Sequence, residues 1–484
     1  MKQIKYIVAG FLGMLALQSC SEDTMDDINN NQNDPEYVES RFILTDVMNA
    51  TAFSVTGSDL SFYTGIYAEL HAGVDNQMFR AQTRQGEPQL STTYNNSWNT
   101  LYRQLAPLQE VIEKCSEGGS EAGNYETLGI AQVLYAYNLA VLTDLFGDVP
   151  LKEAMQPGVI FQPKIDSQEY IYSVVFENLN SALENLNKTS KYTPVSKQDV
   201  IFEGNLDNWE KAANGLLARY TMRLSLRKPD YQKVIDYVDA SFKNSLEFPF
   251  REEFVLRNEG IPNPFARFYN DRKGLGTIDT FYELMLSNGD SDVRTQKFFT
   301  VNKDTVVVAF DSKASKPVQS TTLYSVSGMM SEKNPIYMLG YHELLFLKAE
   351  AQARLGQDAD ALVTLKDAVT AAFTKNQDVK FTVEEANTYT ATFDGLAGRD
   401  LLKKIMNEKH ISFYENEGIE AYNDIRRLQA MGDGDLIKLN NPGKFPKRLT
   451  YGASDVAANS HIKAAFGDGT YVYTEDVWWA GGTR

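Results

Sequence analysis

Little in this chain is equipped for covalent or metal chemistry. Its 484 residues include only two cysteines and four histidines. Cys20 and Cys115 cannot build a disulfide framework, and His71, His342, His410 and His461 are scattered rather than spaced as metal ligands. His342-Glu343 begins like a zinc-protease helix, but the required second histidine is Phe346. The chain has no Gly-x-Ser-x-Gly elbow, phosphate loop or dinucleotide fingerprint. The Asp- and Asn-rich segment 26–35 lacks the Gly and Glu positions of a calcium loop. The sequence thus offers no catalytic constellation, no metal site and no cofactor to expect. A surface-anchored hydrolase stays open as a lesser alternative, because glycosidase-type carboxylate pairs are invisible to spacing. Positive charge is also short: 47 Lys and Arg against 64 Asp and Glu leave a net charge of -17. That balance disfavours nucleic acid as a partner and repels anionic membrane surfaces.

Long apolar runs are few, and the first is N-terminal. Lys2 and Lys5 precede an apolar segment, 6–17, in the manner of a secretory signal. It ends Leu17-Gln18-Ser19-Cys20, which resembles a bacterial lipobox and implies cleavage before Cys20 and acylation there. Lipid chains attach a protein to a membrane without a spanning helix. The expected division is a signal peptide at 1–19, a lipidated flexible tether at 20–40 and a body at 41–484.

The second run, 131–151, reads AQVLYAYNLAVLTDLFGDVPL. Apolar residues lie on nearly every side of its first sixteen positions, so a helix here must be enclosed by other helices. Gly147 and Pro150 specify its exit. Asp166 and Glu169 have the spacing of a capping box for the next helix, with Tyr170, Val174, Leu179, Ala182 and Leu186 facing inward. Further amphipathic helices are expected at 97–115, 205–225 and 231–242, and long ones at 334–357, 360–373 and 400–429. Ala349, Gly356, Ala361, Leu365 and Ala368 fall at tetratricopeptide spacing, where small residues let two antiparallel helices touch. Arg426-Arg427 is read first as a source of internal salt bridges and helix capping, with an anion site as the alternative. The chain is therefore mainly α, a scaffold of tetratricopeptide-like helix pairs at about 41–243 and 334–430. Loop-rich segments fall at about 244–333 and 431–484, with a short strand expected at 305–310.

Taken in order, Cys20, Trp98 with Tyr102, Phe146-Gly147-Asp148-Val149-Pro150 and Asp166-Ser167-Gln168-Glu169 form the first half of a pattern. Asn208-Trp209-Glu210-Lys211-Ala212-Ala213-Asn214, Glu420-Ala421-Tyr422-Asn423-Asp424-Ile425-Arg426-Arg427, Pro446-Lys447-Arg448-Leu449 and Trp478-Trp479 complete it. This ordered set resembles the SusD/RagB-like outer-membrane nutrient-binding lipoproteins of Bacteroidetes. The resemblance implies capture of an oligomeric nutrient and docking on a SusC-like TonB-dependent outer-membrane transporter, without chemistry. It implies attachment to the outer membrane through lipid on Cys20, with the body exposed at the cell surface. A glycan is the expected cargo and an oligopeptide the alternative, since aromatic faces with planar hydrogen-bonding groups suit both. The polar segment 73–98 and the loop-rich segment supply the candidate ligand contacts. They are Gln77, Arg80, Arg84, Tyr94 and Asn95 in the first, and Asn263, Phe265, Arg267, Tyr269 and Tyr324 in the second.

Overall fold

Helix follows helix along most of the chain. The structure, a computed structural model, describes residues 38–484 except 86–88, 157, 244–249, 253–261, 376–380 and 441–443. Cys20, the signal segment and most of the tether lie outside the described residues. Helix α1 (Ser40–Ala50) widens into a π turn (Thr51–Thr56), and α2 (Asp59–Tyr67) leads to the two-residue strand β1 (Ala72–Gly73). A short helix, α3 (Asn76–Thr83), occupies the segment expected to be loop. Then come α4 (Asn95–Cys115), α5 (Tyr125–Phe146), α6 (Gln168–Leu186), α7 (Leu206–Arg223) and α8 (Tyr231–Asp239).

The loop-rich segment holds more regular structure than its sequence suggests. It contains α9 (Pro264–Arg272), strand β2 (Leu275–Gly276) and α10 (Asp279–Ser287). No strand forms at 305–310; Thr305 sits at φ 61°, which breaks extended backbone. The long helix expected at 334–357 is divided too. Strand β3 (Ile336–Leu339) precedes Gly340, and α11 (Tyr341–Arg354) begins only there. Helix α12 (Asp358–Thr374) pairs with α11 across Gly356, whose φ of 74° makes the tight turn. Ala349, Ala361, Leu365 and Ala368 are buried, as the tetratricopeptide spacing requires. The last expected helix splits into α13 (Gly398–Ser412) and α14 (Gly418–Ala430) around Glu415, which stands at φ 81°.

Helix α5 is the centre. Every residue from Thr127 to Phe146 is buried, against α4 on one side and α6 on the other. It is long and apolar enough to cross a membrane, yet its most apolar stretch is wholly enclosed by protein. Its exit is built from side chains. Gly147 N–H donates to Thr143 O at 2.8 Å, and Thr143 Oγ1 donates back to Gly147 O at 2.8 Å. Asp148 Oδ1 accepts from Gln168 N, so this carboxylate holds the turn. Asp166 is not the cap of α6: Ser167 is, accepting from Tyr170 N at 3.3 Å. Asp166 Oδ2 instead accepts from the N–H groups of Leu151 and Lys152, because the chain pairs Val149 with Asp166. The inward face of α6 is shifted to match, with Ile171, Tyr172 and Val175 buried while Tyr170 and Val174 are half-buried.

Charged groups penetrate this core in pairs. Arg219 meets Glu343 at 2.6 Å, Arg223 meets Asp144 at 3.3 Å, and Lys409 meets Asp424 at 2.7 Å. Arg427 binds Glu350 and Asp424, while Arg426 donates to the backbone carbonyls of Asp144 and Lys447. His342 is a core residue bonded to Glu417 at 2.8 Å. Cys115 is a buried free thiol, which burial pushes up to about 11.

Candidate ligand-binding site

The two segments expected to carry ligand contacts meet in space. Strand β1 pairs antiparallel with β2, Ala72 opposite Gly276 and Gly73 opposite Leu275. The ladder is extended by Val74 N–H donating to Gly274 O at 2.8 Å and Ser320 N–H donating to Val74 O at 2.9 Å. Gly73 is required here, because a Cβ would stand 1.9 Å from Met78 O. That close approach lets the chain turn from β1 directly into α3.

Helix α3 then stands between two clefts. One, of about 520 Å³, is lined by Asp59, Asp75, Gln77, Arg80, Phe268 and Arg272 among others. The second, of about 550 Å³, contains Glu69, Arg84, Phe310, Asp311, Ser312 and Lys444. In the first, Phe268 stacks on Phe62 with ring centroids 4.5 Å apart, so its plane is fixed from behind. Asp75 accepts from Asn76 Nδ2 and from Gln319 Nε2, both at 2.6 Å. Asp59 is half-buried at the start of α2, and burial raises its carboxyl above the usual range.

In the second cleft, Arg84 closes α3 with a left-handed residue at φ 55°. Its guanidinium lies over the Tyr67 ring, 4.8 Å from the centroid, and its Nε donates to Lys444 O at 3.3 Å. Burial lowers its pKa, opposed by the neighbouring Tyr67 and Glu69. Glu69 accepts two bonds from Asn440 N–H, yet burial still raises its carboxyl. Aromatic faces, amides, carboxylates and guanidinium groups thus converge on both sides of one short helix. That is the composition of a polar small-molecule or oligomer site.

Of the ten expected contacts, Gln77, Arg80 and Arg84 line these clefts. Tyr94 does not. It is 0% exposed, and its hydroxyl bonds that of Tyr67 at 2.6 Å. Phe265 is 2% exposed and packs edge-on against Phe62, 5.5 Å away. Asn263 is the cap of α9, accepting from Phe265 N and Ala266 N and donating to Asn334 O. Asn95 Oδ1 is taken up by Ser454 N–H and Oγ–H. Arg267 is exposed beside Asp271 at 3.7 Å, Tyr269 is half-buried, and the Tyr324 hydroxyl donates to Val318 O. None of these three lines either cleft. The clefts also hold residues outside the expected set: Asp59, Phe268 and Arg272 line the first, and Glu69 and Lys444 the second. Asn263-Pro264 has the form of a helix cap followed by proline at the first helical position. Read as such, it would have placed Phe268 and Arg272 four apart on a common helix face.

Comparison with known proteins agrees with this architecture. Residues 32–452 match a family model described as SusD-like, starch-binding and associating with the outer membrane. A crystal structure of a SusD/RagB-family protein from Bacteroides thetaiotaomicron is 36% identical, with a TM-score of 0.83, covering 93% of this chain and 100% of the other. A SusD homologue from Bacteroides fragilis is 19% identical at a TM-score of 0.72, covering 92% of this chain and 100% of its own. A chitin-binding SusD homologue from Flavobacterium johnsoniae is 17% identical at 0.70, covering 92% and 99%. No curated protein sequence matches the chain. The chain belongs to the SusD-like family of outer-membrane nutrient-binding proteins.

Proposed function

We propose that the protein is a lipid-anchored, surface-exposed component of a nutrient uptake system. It binds an oligomeric glycan in the clefts beside α3 and delivers it to a SusC-like TonB-dependent transporter, without altering it chemically. The observation that carries this reading is the convergence of Gln77, Arg80, Phe268, Arg84 and Glu69 around α3. Sugars present apolar C–H faces and polar rims, which a fixed aromatic plane ringed by amides and charges complements. The family description, starch binding at the outer membrane, and the chitin-binding relative support glycan over peptide. We assign residues 1–19 to the signal peptide, 20–40 to the tether with lipid on Cys20, and 41–484 to the binding body.

Calorimetry on the chain lacking residues 1–20, against panels of neutral glycans, acidic glycans and peptides, tests the cargo. Saturable binding of a glycan, lost in Phe268→Ala, is expected. Binding of peptides alone would establish the oligopeptide alternative, and turnover of any ligand would remove the non-enzymatic reading. Cys20→Ser should release the protein from the outer membrane, read by fractionation and radiolabelled palmitate. Its normal retention there would contradict the anchor.

A further inference from the structure

The first cleft holds two ionisable groups that the fold itself leaves unused. Among the described residues, the Asp59 carboxylate has neither a hydrogen-bond nor an ion-pair partner, and the same is true of the Arg272 guanidinium. They line one cleft of about 520 Å³ without pairing to each other. Asp75, beside them, differs: both of its oxygens are already occupied by Asn76 and Gln319.

We propose that Asp59 and Arg272 select an uncharged, hydroxyl-rich ligand, a hexose or N-acetylhexosamine unit of a glycan, held against the Phe268 ring. This rests on the glycan reading above and names its chemical class. A sugar hydroxyl donates to a carboxylate and accepts from a guanidinium, so an uncharged, hydroxyl-bearing unit answers both residues. A uronate, sulfate or phosphate would suit Arg272 but face repulsion from Asp59, and an amine would meet the reverse. Charge-assisted hydrogen bonds of this kind are about twice as strong as neutral ones, so they discriminate well. Phe268, held in place by Phe62, supplies the flat surface for the sugar's C–H face.

Asp59 also sits where burial works against its charge. It opens α2, where the helix dipole favours a negative charge and should lower its pKa. Burial wins instead and raises it, so the free protein bears a cost for the carboxylate. A residue that costs stability without a partner is the kind expected at a binding site.

The test uses the chain lacking residues 1–20 and its Asp59→Asn and Arg272→Gln variants. Calorimetry at pH 7.5 measures maltoheptaose, chitohexaose and a wider panel of neutral oligosaccharides, with oligogalacturonate and tetra-alanine as contrasts. The expected result is a tenfold or greater loss of affinity for the best neutral glycan in Asp59→Asn, with a melting temperature equal to or above the wild type. Arg272→Gln should lose threefold or more; it lies at the surface, so its folding is secure. Asp59→Asn should also narrow the gap between oligogalacturonate and the neutral glycan. Wild-type binding of a neutral glycan that both variants retain within twofold would overturn this inference alone. Preference of the wild type for oligogalacturonate would overturn it as well. Binding of tetra-alanine with no glycan bound, or no glycan bound at all, would overturn the glycan reading and this inference with it.

Discussion

Arg427 grips Glu350 through two parallel hydrogen bonds, Nη1 to Oε1 and Nη2 to Oε2, each 2.7 Å long. Both side chains are shut off from solvent, and the pair ties α14 to α11 across the core. The Arg427 guanidinium holds the Glu350 carboxyl well below the usual range despite burial. Breaking a buried pair from one side leaves the other charge stranded. Arg427→Met should therefore cost about 3 kcal/mol. That is the low end for such a break, because Arg354 still reaches Glu350 Oε1 at 2.8 Å. Urea unfolding at pH 7 measures it. A loss below about 1 kcal/mol would show that the pair is not the brace it looks to be.

Two kinds of buried glutamate should give the stability opposite pH dependences. Glu408 and Glu417, beside Arg294 and beside His342 with Lys375, are each lowered from 4.5 to about 2. Their contribution is present above 4.5 and lost as pH falls through about 2. Glu415 is raised by burial from 4.5 to about 7, so its contribution is present below 4.5 and lost as pH rises through about 7. Glu415→Gln should be more stable than the wild type at pH 8, by on the order of 1–3 kcal/mol. The difference should close as the pH approaches 4.5, the ordinary value of this carboxyl. Urea titrations at three pH values read this directly, and a pH-independent difference would refute it.

Gly147 should resist replacement for two separable reasons. Its φ of 82° with ψ of -131° belongs to a region that side chains avoid, and a Cβ would stand 2.7 Å from Arg448 Nη1. Gly147→Ala is expected to cost about 3 kcal/mol or more. Gly123→Ala provides the control, since Gly123 has φ 92° with nothing within 4 Å of its Cβ position. It should cost only the backbone strain, about 1–2 kcal/mol. Equal losses in thermal melts would mean that the Arg448 contact is immaterial.

Tyr94→Phe separates packing from recognition. It removes the hydroxyl pair with Tyr67 and should lower stability by about 1 kcal/mol. Glycan affinity should stay within twofold, because the ring lies in the core. A marked loss of affinity in calorimetry would return Tyr94 to the site.

The helical body was readable because its signals are strong and local. Apolar residues surround α5, the 349–368 spacing carries a helix pair, and Trp209, Ala212, Leu216 and Met222 are all buried. Boundaries failed where a single residue decides them. Gly340 divides a strand from α11, and Glu415 takes a left-handed conformation without being glycine, which no propensity anticipates. Polar residues in 73–98 were sorted by type rather than by facing, since the face depends on contacts made far along the chain. Arg80 and Tyr94 look equally suited to ligand in sequence, yet one borders a cleft and the other bonds to Tyr67 inside the core. Asp59 carried no signal at all, because its place in the cleft and its lack of a partner follow from contacts made far along the chain.

The ladder between β1 and β2 is only two residues long on each side, and it joins points about 200 residues apart in the chain. Neither wall of the first cleft has a mate until that distance is closed, and closure of so long a loop is slow relative to forming local helix pairs. During synthesis at roughly 5–20 residues per second, the N-terminal wall waits some tens of seconds for the segment that completes it. Formation of the first cleft is thus a late event in the protein's maturation, and a nick between α8 and α9 would separate the acquisition of helical structure from the completion of that cleft.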